Sequence, residues 1–330
     1  MDALASLLYE VRSDGALFSR AILAPPWSIR FADRTPLTLV TMLRGSGRIL
    51  PGGDAEPVAL DRGDVAIVVG GRPFTIADTA DIADTADDGP VAPPLYVVHG
   101  PDHCTTADGA EISEELVLGV RTCGNSLDAD APNVLLTGSY HVGGRVSERL
   151  LSALPRVLVV RYGGEPGPIL DLTALEISRD DPGQQAVLDR LLDLLLLSTL
   201  REWFTCPESD PPGWYRALGD PVAGPALRLI HDRPARPWTV AALAEEAGVS
   251  RATLARRFGE LVGQPPMAYL TGWRLALAAD LLVRSEATVE SIARQVGYRS
   301  AFGLSVAFQR VYGTRPSHHR AAAGPLRSAS

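Results

Sequence analysis

AEEAGVSRATLARRFGELVGQPP, residues 244–266, and ARQVGYRSAFGLSVAFQRVYGTRP, residues 293–316, are one pattern written twice. From Ser250 and from Ser300 onward the spacing is the same. Leu254 and Leu304, Phe258 and Phe308, Gly263 and Gly313, and Pro266 and Pro316 occupy matching positions. Before each serine, Ala244 with Gly248 and Ala293 with Gly297 mark the end of a short helix and its glycine turn. Each copy therefore predicts helix, tight turn, helix. Two such helix-turn-helix units suit the reading of double-stranded DNA at two successive places. One match arises easily by chance; two matching copies do not.

Outward from the repeat the chain stays helical. Ala226–His231 ends a first helix; Thr239 caps the next, with Trp238 placed to staple it. Pro265–Pro266 breaks the chain before a long helix over Met267–Arg284, and Thr288 caps the second unit as Thr239 caps the first. In a helix-turn-helix the second helix lies in the major groove. With Leu254 and Phe258 facing inward, the first reading helix, capped by Ser250, turns Arg251, Ala252, Ala255 and Arg256 outward, flanked by Thr253 and Arg257. Arginine suits bidentate contact with guanine, so Arg256 is the first candidate for base readout and Arg251 or Arg257 for phosphate. The second, starting at Ser300, shows Ala301, Phe302, Ser305, Val306 and Gln309, with Arg299 and Arg310 at its edges. Ser305 and Gln309 can read bases, Val306 can touch a thymine methyl, and Arg299 and Arg310 suit the backbone. His318, His319 and Arg320 near the end suit helix-end solvation or phosphate contact better than metal ligation.

The net charge of −8 splits in a telling way. Residues 225–330 hold fourteen Arg against seven acidic residues, a balance of +7, and the remainder stands at −15. An acidic body with a basic tail fits a DNA-binding module joined to a different domain. All 31 basic residues are Arg, as codon bias in a GC-rich genome would produce. The length favours two domains. No uninterrupted apolar run is long enough to span a membrane, the first residues lack a signal-peptide pattern, and three scattered cysteines form no disulfide framework. A cytoplasmic protein with no membrane association is expected.

Before the helical region, short apolar segments broken by Gly, Pro and Asp predict strands. The best are Leu37–Leu43, Gly47–Leu50, Val65–Val69, Tyr96–His99, Leu116–Arg121, Val134–Tyr140 and Val157–Val160, a pattern typical of a sandwich or barrel. Ala77–Asp88 is a low-complexity acidic stretch that suits a solvated loop. A lone helix is expected near Ser147–Ala153. Gln184–Phe204 predicts a leucine-dense helix with Leu188, Leu191, Leu192, Leu195 and Leu196 along one side, either packed on the β domain or covering a twin in a homodimer. Thr205–Gly213 is a Pro-rich linker. The fold class is thus α+β: a sensor domain over 1–183, a dimerisation helix and linker over 184–213, and an all-α double helix-turn-helix domain over 214–330.

These residues resemble the AraC/XylS family of bacterial transcription regulators. The match runs over about residues 220–321, and the family signature appears as Ile292-Ala293, Gly297-Tyr298, Ser300, Phe308, Gly313 and Pro316. The resemblance implies seven helices, with Met267–Arg284 holding two recognition helices about one DNA turn apart, and Arg274 as the linker-helix arginine that supports the domain. It implies an operator or promoter as partner, with RNA polymerase as a further one. Many relatives carry Arg at the position of Val306 and Lys or Arg at that of Gln309, so the departure here weakens the second helix as a reader. Over about residues 4–180, Pro25-Pro26-Trp27, Gly63-Asp64 and LLSALPRVLVV at 150–160 resemble the cupin-type sensor domain of one branch, implying a cupin-like β-barrel. No His-x-His appears, and Pro73-Phe74 stands where relatives often carry Pro-His, so neither an enzyme, a catalytic metal nor a cofactor is expected.

For the sensor, a small organic effector is the default, with Trp27 and Phe74 as wall candidates or simply core aromatics. His99, His103, Cys104, Cys123 and His141 form the remaining polar set, with metal binding, a thiol switch driven by an oxidant, and inert packing all open. A cupin-type metalloenzyme fused to a DNA-binding domain and a constitutive repressor whose barrel only dimerises are the alternatives.

Overall fold

A computed structural model describes residues 11–322 apart from 13–17, 54, 79–92, 101–102, 113–115, 120, 129 and 180. Most of the acidic Ala77–Asp88 stretch therefore lies outside the described residues. The chain divides into two compact units. One holds Val11–Val142 and Leu154–Ser209, the other Gly143–Ala153 and the helical region from Asp210 onward.

The first unit carries two sheets. One is the order β11(Val117–Gly119), β12(Thr122–Gly124), β2(Phe18–Leu23), β13(Asn133–Val142), β4(Leu37–Arg44), β7(Val65–Val69), β14(Val157–Val160), with β1(Val11–Arg12) also on β13. The other is β10(His103–Thr105), β9(Tyr96–Gly100), β3(Ser28–Phe31), β8(Phe74–Ala77), β5(Gly47–Leu50), β6(Val58–Leu60). Alternate residues of both sheets point into one shared core: Ala21, Leu23, Val40, Met42 and Leu135 from the first, Ile29, Phe31, Ile49, Phe74, Ile76 and Tyr96 from the second. Trp27 and Phe74 belong to this core and are buried; Phe74 stacks on Phe31 with ring centroids 4.7 Å apart. Gly63-Asp64 has a structural task. Gly63 sits at φ 81, and Asp64, buried, accepts from the Asp61 and Tyr162 amides and pairs with Arg161 at 3.2 Å, tying the end of β14 to the start of β7.

Helices α2(Pro168–Ile177) and α3(Gln184–Thr205) complete this unit. (α1 is Gly144–Leu151, in the other unit.) Of the two coverings expected for the leucine stripe, its own domain supplies most: Leu188, Leu192, Leu195 and Leu196 are buried and Leu191 partly so. A helix this apolar meets its own β domain first, because that surface is always at hand. The buried Tyr140 hydroxyl donates to the Leu192 carbonyl at 2.8 Å, fixing α3 to β13. The large apolar side chains left exposed here are Leu172 and Leu175 on α2 and Val187 and Leu194 on α3.

The second unit is helical: α4(Gly213–Leu218), α5(Ala223–Asp232), α6(Val240–Glu246), α7(Arg251–Val262), α8(Pro266–Arg284), α9(Val289–Gln295), α10(Ala301–Tyr312) and α11(Pro316–Ala322). The α1 segment, though it lies between β13 and β14 in the chain, clusters here. The buried Asp280 carboxylate of α8 accepts from the Arg145 amide at 2.6 Å and the Val146 amide at 3.2 Å, capping its N-terminus. Gly144, at φ 83, is required: a Cβ there would lie 2.7 Å from that carboxylate.

Candidate nucleic-acid interface

The two copies fold alike because their repeated residues do the same jobs. Thr239 and Thr288 accept from the amides of Ala242 and Ser291 and start α6 and α9. Ser250 and Ser300 accept from Thr253 and Gly303 and start α7 and α10. Both of those helices span twelve residues and end in a left-handed glycine, Gly263 at φ 78 and Gly313 at φ 70. Leu254 and Phe258, then Leu304 and Phe308, are wholly buried. Phe258 meets Tyr269 edge-on at 5.8 Å, and Phe308 meets His319 edge-on at 5.4 Å, with Tyr269 and His319 at matching positions.

The linker helix α8 holds both halves. Arg274 donates from Nε to the Pro234 carbonyl and from Nη2 to the Arg236 carbonyl, both at 2.7 Å, so it braces the loop before α6. Gly297 lies under it at φ 91, where a Cβ would come within 2.8 Å of Arg274 Nη2. Arg320 donates from Nε to the Leu282 carbonyl at 2.9 Å and from Nη2 to that of Ala287 at 2.5 Å, closing the end of α8. His319 rests on Phe308 and Tyr312. The structure therefore gives these two residues internal tasks.

The outward faces differ. On α7, Arg251, Ala252, Ala255 and Arg256 are exposed, with Thr253 and Arg257 partly covered. Arg256 pairs with Glu260 at 2.7 Å on the exposed face. Arg257, suggested above as a phosphate contact, is committed elsewhere. Its Nε and Nη2 both meet Asp220 at 2.8 Å, and the Asp220 carboxylate also accepts from the Val222 and Ala223 amides. Burial alone would raise the Asp220 carboxyl, but those amides and Arg257 hold it below the ordinary aspartate value. Arg257 is thus a pin between α7 and the start of α5, which sequence spacing could not show because Asp220 is remote in the chain.

On α10, Phe302 and Val306 are exposed one turn apart, at 79% and 54%, with Gln309 and Arg310 beyond them and Arg299 exposed before the helix. Ala301 and Ser305 are partly covered, and the Ala301 amide donates to Glu290 at 2.7 Å. Among the described residues of this unit Phe302, at the first full turn, is the most exposed large apolar side chain.

In the sheet unit, His99 Nε2 and the Thr105 hydroxyl are hydrogen-bonded at 2.9 Å, and the rings of His99 and His103 lie 5.1 Å apart. Cys104 and Cys123 are free, half-buried, and pack against the same core. Burial, then the neighbouring Cys123, pushes the Cys104 thiol up to about 11; burial raises Cys123 as well. His141 lies on β13, but its side chain is outside the described residues. Among the described residues no three His, Cys, Asp or Glu side chains converge as a metal site requires, and no helix is long and apolar enough to cross a membrane.

A cupin family model matches residues 2–205 and a helix-turn-helix domain model residues 243–322. A putative AraC-like transcription regulator of Streptomyces lividans is 32% identical over 97% of this chain and 98% of its own length. A similarly described protein of Streptomyces antibioticus is 31% identical over the same shares. Among solved structures, the DNA-binding domain of AdpA in complex with a target DNA is 32% identical, covering 34% of this chain and all of that one, at a TM-score of 0.31.

Proposed function

From the premise that this chain belongs to the AraC-like transcription regulators, as a DNA-binding protein with a cupin domain, we propose a division of labour between its two helix-turn-helix units. The first carries direct base readout and the second mainly positions the protein. The supporting observation is the contrast between exposed Arg251 and Arg256 on α7 and exposed Phe302 and Val306 on α10. Arg256 reads guanine once Glu260 yields it, and Arg251 holds phosphate. Val306 and Phe302 offer apolar contact to thymine methyls, Ser305 and Gln309 supply hydrogen bonds, and Arg299 and Arg310 hold the backbone. Arg256→Ala should lose about 1–3 kcal/mol of discrimination between operator and a mutated half-site. Arg310→Ala should weaken all sequences alike and lower the salt slope by about 1. Footprinting and salt titrations decide; the reverse pattern would sink the assignment.

The working unit in this reading is a cytoplasmic homodimer without enzymatic activity. The apolar side chains that α2 and α3 leave exposed, Leu172, Leu175, Val187 and Leu194, give a twin something to cover. Leu194→Glu should therefore shift the protein to monomer in sedimentation. A small organic effector suits the sensor better than an oxidant. A thiol raised to about 11 is ionised only to on the order of one part in ten thousand at pH 7, and the thiolate is the reacting form. RNA polymerase is the natural partner where the operator abuts a promoter; the operator's place decides activation or repression.

A further inference from the structure

The space between the two sheets is filled by side chains, Trp27, Phe31 and Phe74 among them. A ligand of the sheet unit needs room elsewhere, and a cavity of about 430 Å³ lies on the outer face of the larger sheet, against α2. Strand alternation builds it. Ala21 and Leu23 of β2 and Leu135 of β13 point into the core, so Arg20, Ile22 and Val134 point out, into the cavity wall. On β4 the register slips: Val134 pairs with Arg44 but Leu135 with Met42, leaving Leu43 as an extra residue. That bulge lets two consecutive side chains, Leu43 and Arg44, line the same cavity. Leu127, 86% exposed, forms the rim.

Two arginines thus line a recess whose other walls are aliphatic, and among the described residues no acid lines it. Arg44 is steadied by the Ala131 carbonyl at 3.1 Å. Among the described residues Arg20 Nε is buried without a hydrogen-bond partner, a costly state for a polar donor. We propose that this recess is a binding site for a small monocarboxylate with a compact hydrocarbon body, its carboxylate on Arg20 and Arg44 and its body against Ile22, Leu43 and Val134. A carboxylate supplies the paired acceptors a guanidinium fork requires, and the volume falls in the range of small-ligand sites. If the sheet unit senses an effector, as proposed above, this is where that effector sits.

Calorimetry on the full chain with octanoate, octan-1-ol and acetate tests the site. Octanoate should bind, octan-1-ol and acetate at least about tenfold more weakly, since each lacks one half of the recognition. Arg20→Gln should weaken octanoate about tenfold or more, and Leu127→Ala, at an exposed rim position that leaves folding untouched, by about threefold or more. Equal binding of octanoate and octan-1-ol, or octanoate binding unchanged in Arg20→Gln, overturns the proposal. Titrating the DNA upstream of its own gene, with and without octanoate, separates the two ideas. Binding through Arg20 with unaltered DNA affinity keeps the site and removes the sensing role. An effector that shifts DNA affinity equally in wild type and Arg20→Gln keeps the sensing role and removes the site.

Discussion

The two helix-turn-helix units share one scaffold and little else. Fifty residues apart, Leu254 matches Leu304, Phe258 matches Phe308 and Gly263 matches Gly313, all in the same structural roles. The outward positions have diverged: Arg256 and Glu260 in the first stand where Val306 and Arg310 stand in the second. The residue packed on the central phenylalanine is a buried tyrosine in one and a partly exposed histidine in the other. A duplicated fold is held by the residues that face inward, and those recur. What each copy does is set by the residues that face out, and those are free to drift.

If the scaffolds are equivalent, Phe258→Ala and Phe308→Ala should cost about the same, ~3–5 kcal/mol each, because both rings are fully buried. Urea unfolding of the two variants measures this. A gap of more than about 2 kcal/mol would break the equivalence and make one half the support of the other.

Acid should tell the halves apart. His231 sits in the first half, its Nε2 2.8 Å from the Tyr269 hydroxyl and its ring 4.1 Å from that of Trp273. Burial, then Arg149, lowers its pKa from 6.5 to about 4. The fold therefore prefers the neutral ring, and the unfolded chain takes up a proton first. The resulting stability is complete above about 6.5, falls as the pH drops towards about 4, and is flat below; it amounts to ~3 kcal/mol. His319 in the second half is lowered by burial and by Arg145, but it is partly exposed, so its share is smaller. Urea midpoints at pH 7 and pH 4.5 should converge in His231→Phe much more than in His319→Phe. Equal convergence would contradict the burial argument.

Much of this was legible in the sequence and some was not, for physical reasons. Caps, glycine turns and buried leucines act over a few residues, so Thr239, Ser250, Gly263 and their counterparts announced themselves through spacing. β5, β7 and β14 were equally plain, as apolar runs between turn residues. β2, β3 and β8 were not, because Arg20, Arg30 and Thr75 interrupt their apolar pattern wherever the strand faces outward. The remaining surprises are partnerships across long separations: Arg257 with Asp220 and Asp280 with the start of α1. No local pattern encodes a partner that far away. The bulge that turns Arg44 towards the recess lined by Arg20 belongs to the same class, since register is a property of two strands and not of one.

Charge on the recognition helices offers a gentler test. Glu260 ties up Arg256 and adds a negative charge to the face that α7 would turn to DNA, whereas Arg310 holds the matching place on α10. Glu260→Gln should raise affinity for arbitrary duplex about severalfold at low salt, with the gain fading as salt rises. Arg310→Gln should do the opposite. No change in either variant would mean that these positions do not approach phosphate.

The smallest expected difference concerns how each reading helix begins. Ser250 and Ser300 accept the same amide three residues on, at 3.1 and 3.2 Å. On that ground alone, replacing either by alanine should cost about 1 kcal/mol. The second helix has an additional partner: Glu290 accepts from the Ala301 amide, and its counterpart in the first copy is Ala241, whose methyl group cannot accept a hydrogen bond. A carboxylate at a helix N-terminus also meets the positive end of the helix dipole. Ser300→Ala thus leaves α10 with one anionic cap, while Ser250→Ala leaves α7 with none from a carboxylate. The first should cost only a few tenths of a kcal/mol and the second about 1 kcal/mol, read from thermal unfolding of the full chain. Adding Glu290→Ala to Ser300→Ala should restore the larger loss. If the single variants prove equal, Glu290 contributes nothing to the cap, and the second unit starts its helix just as the first does.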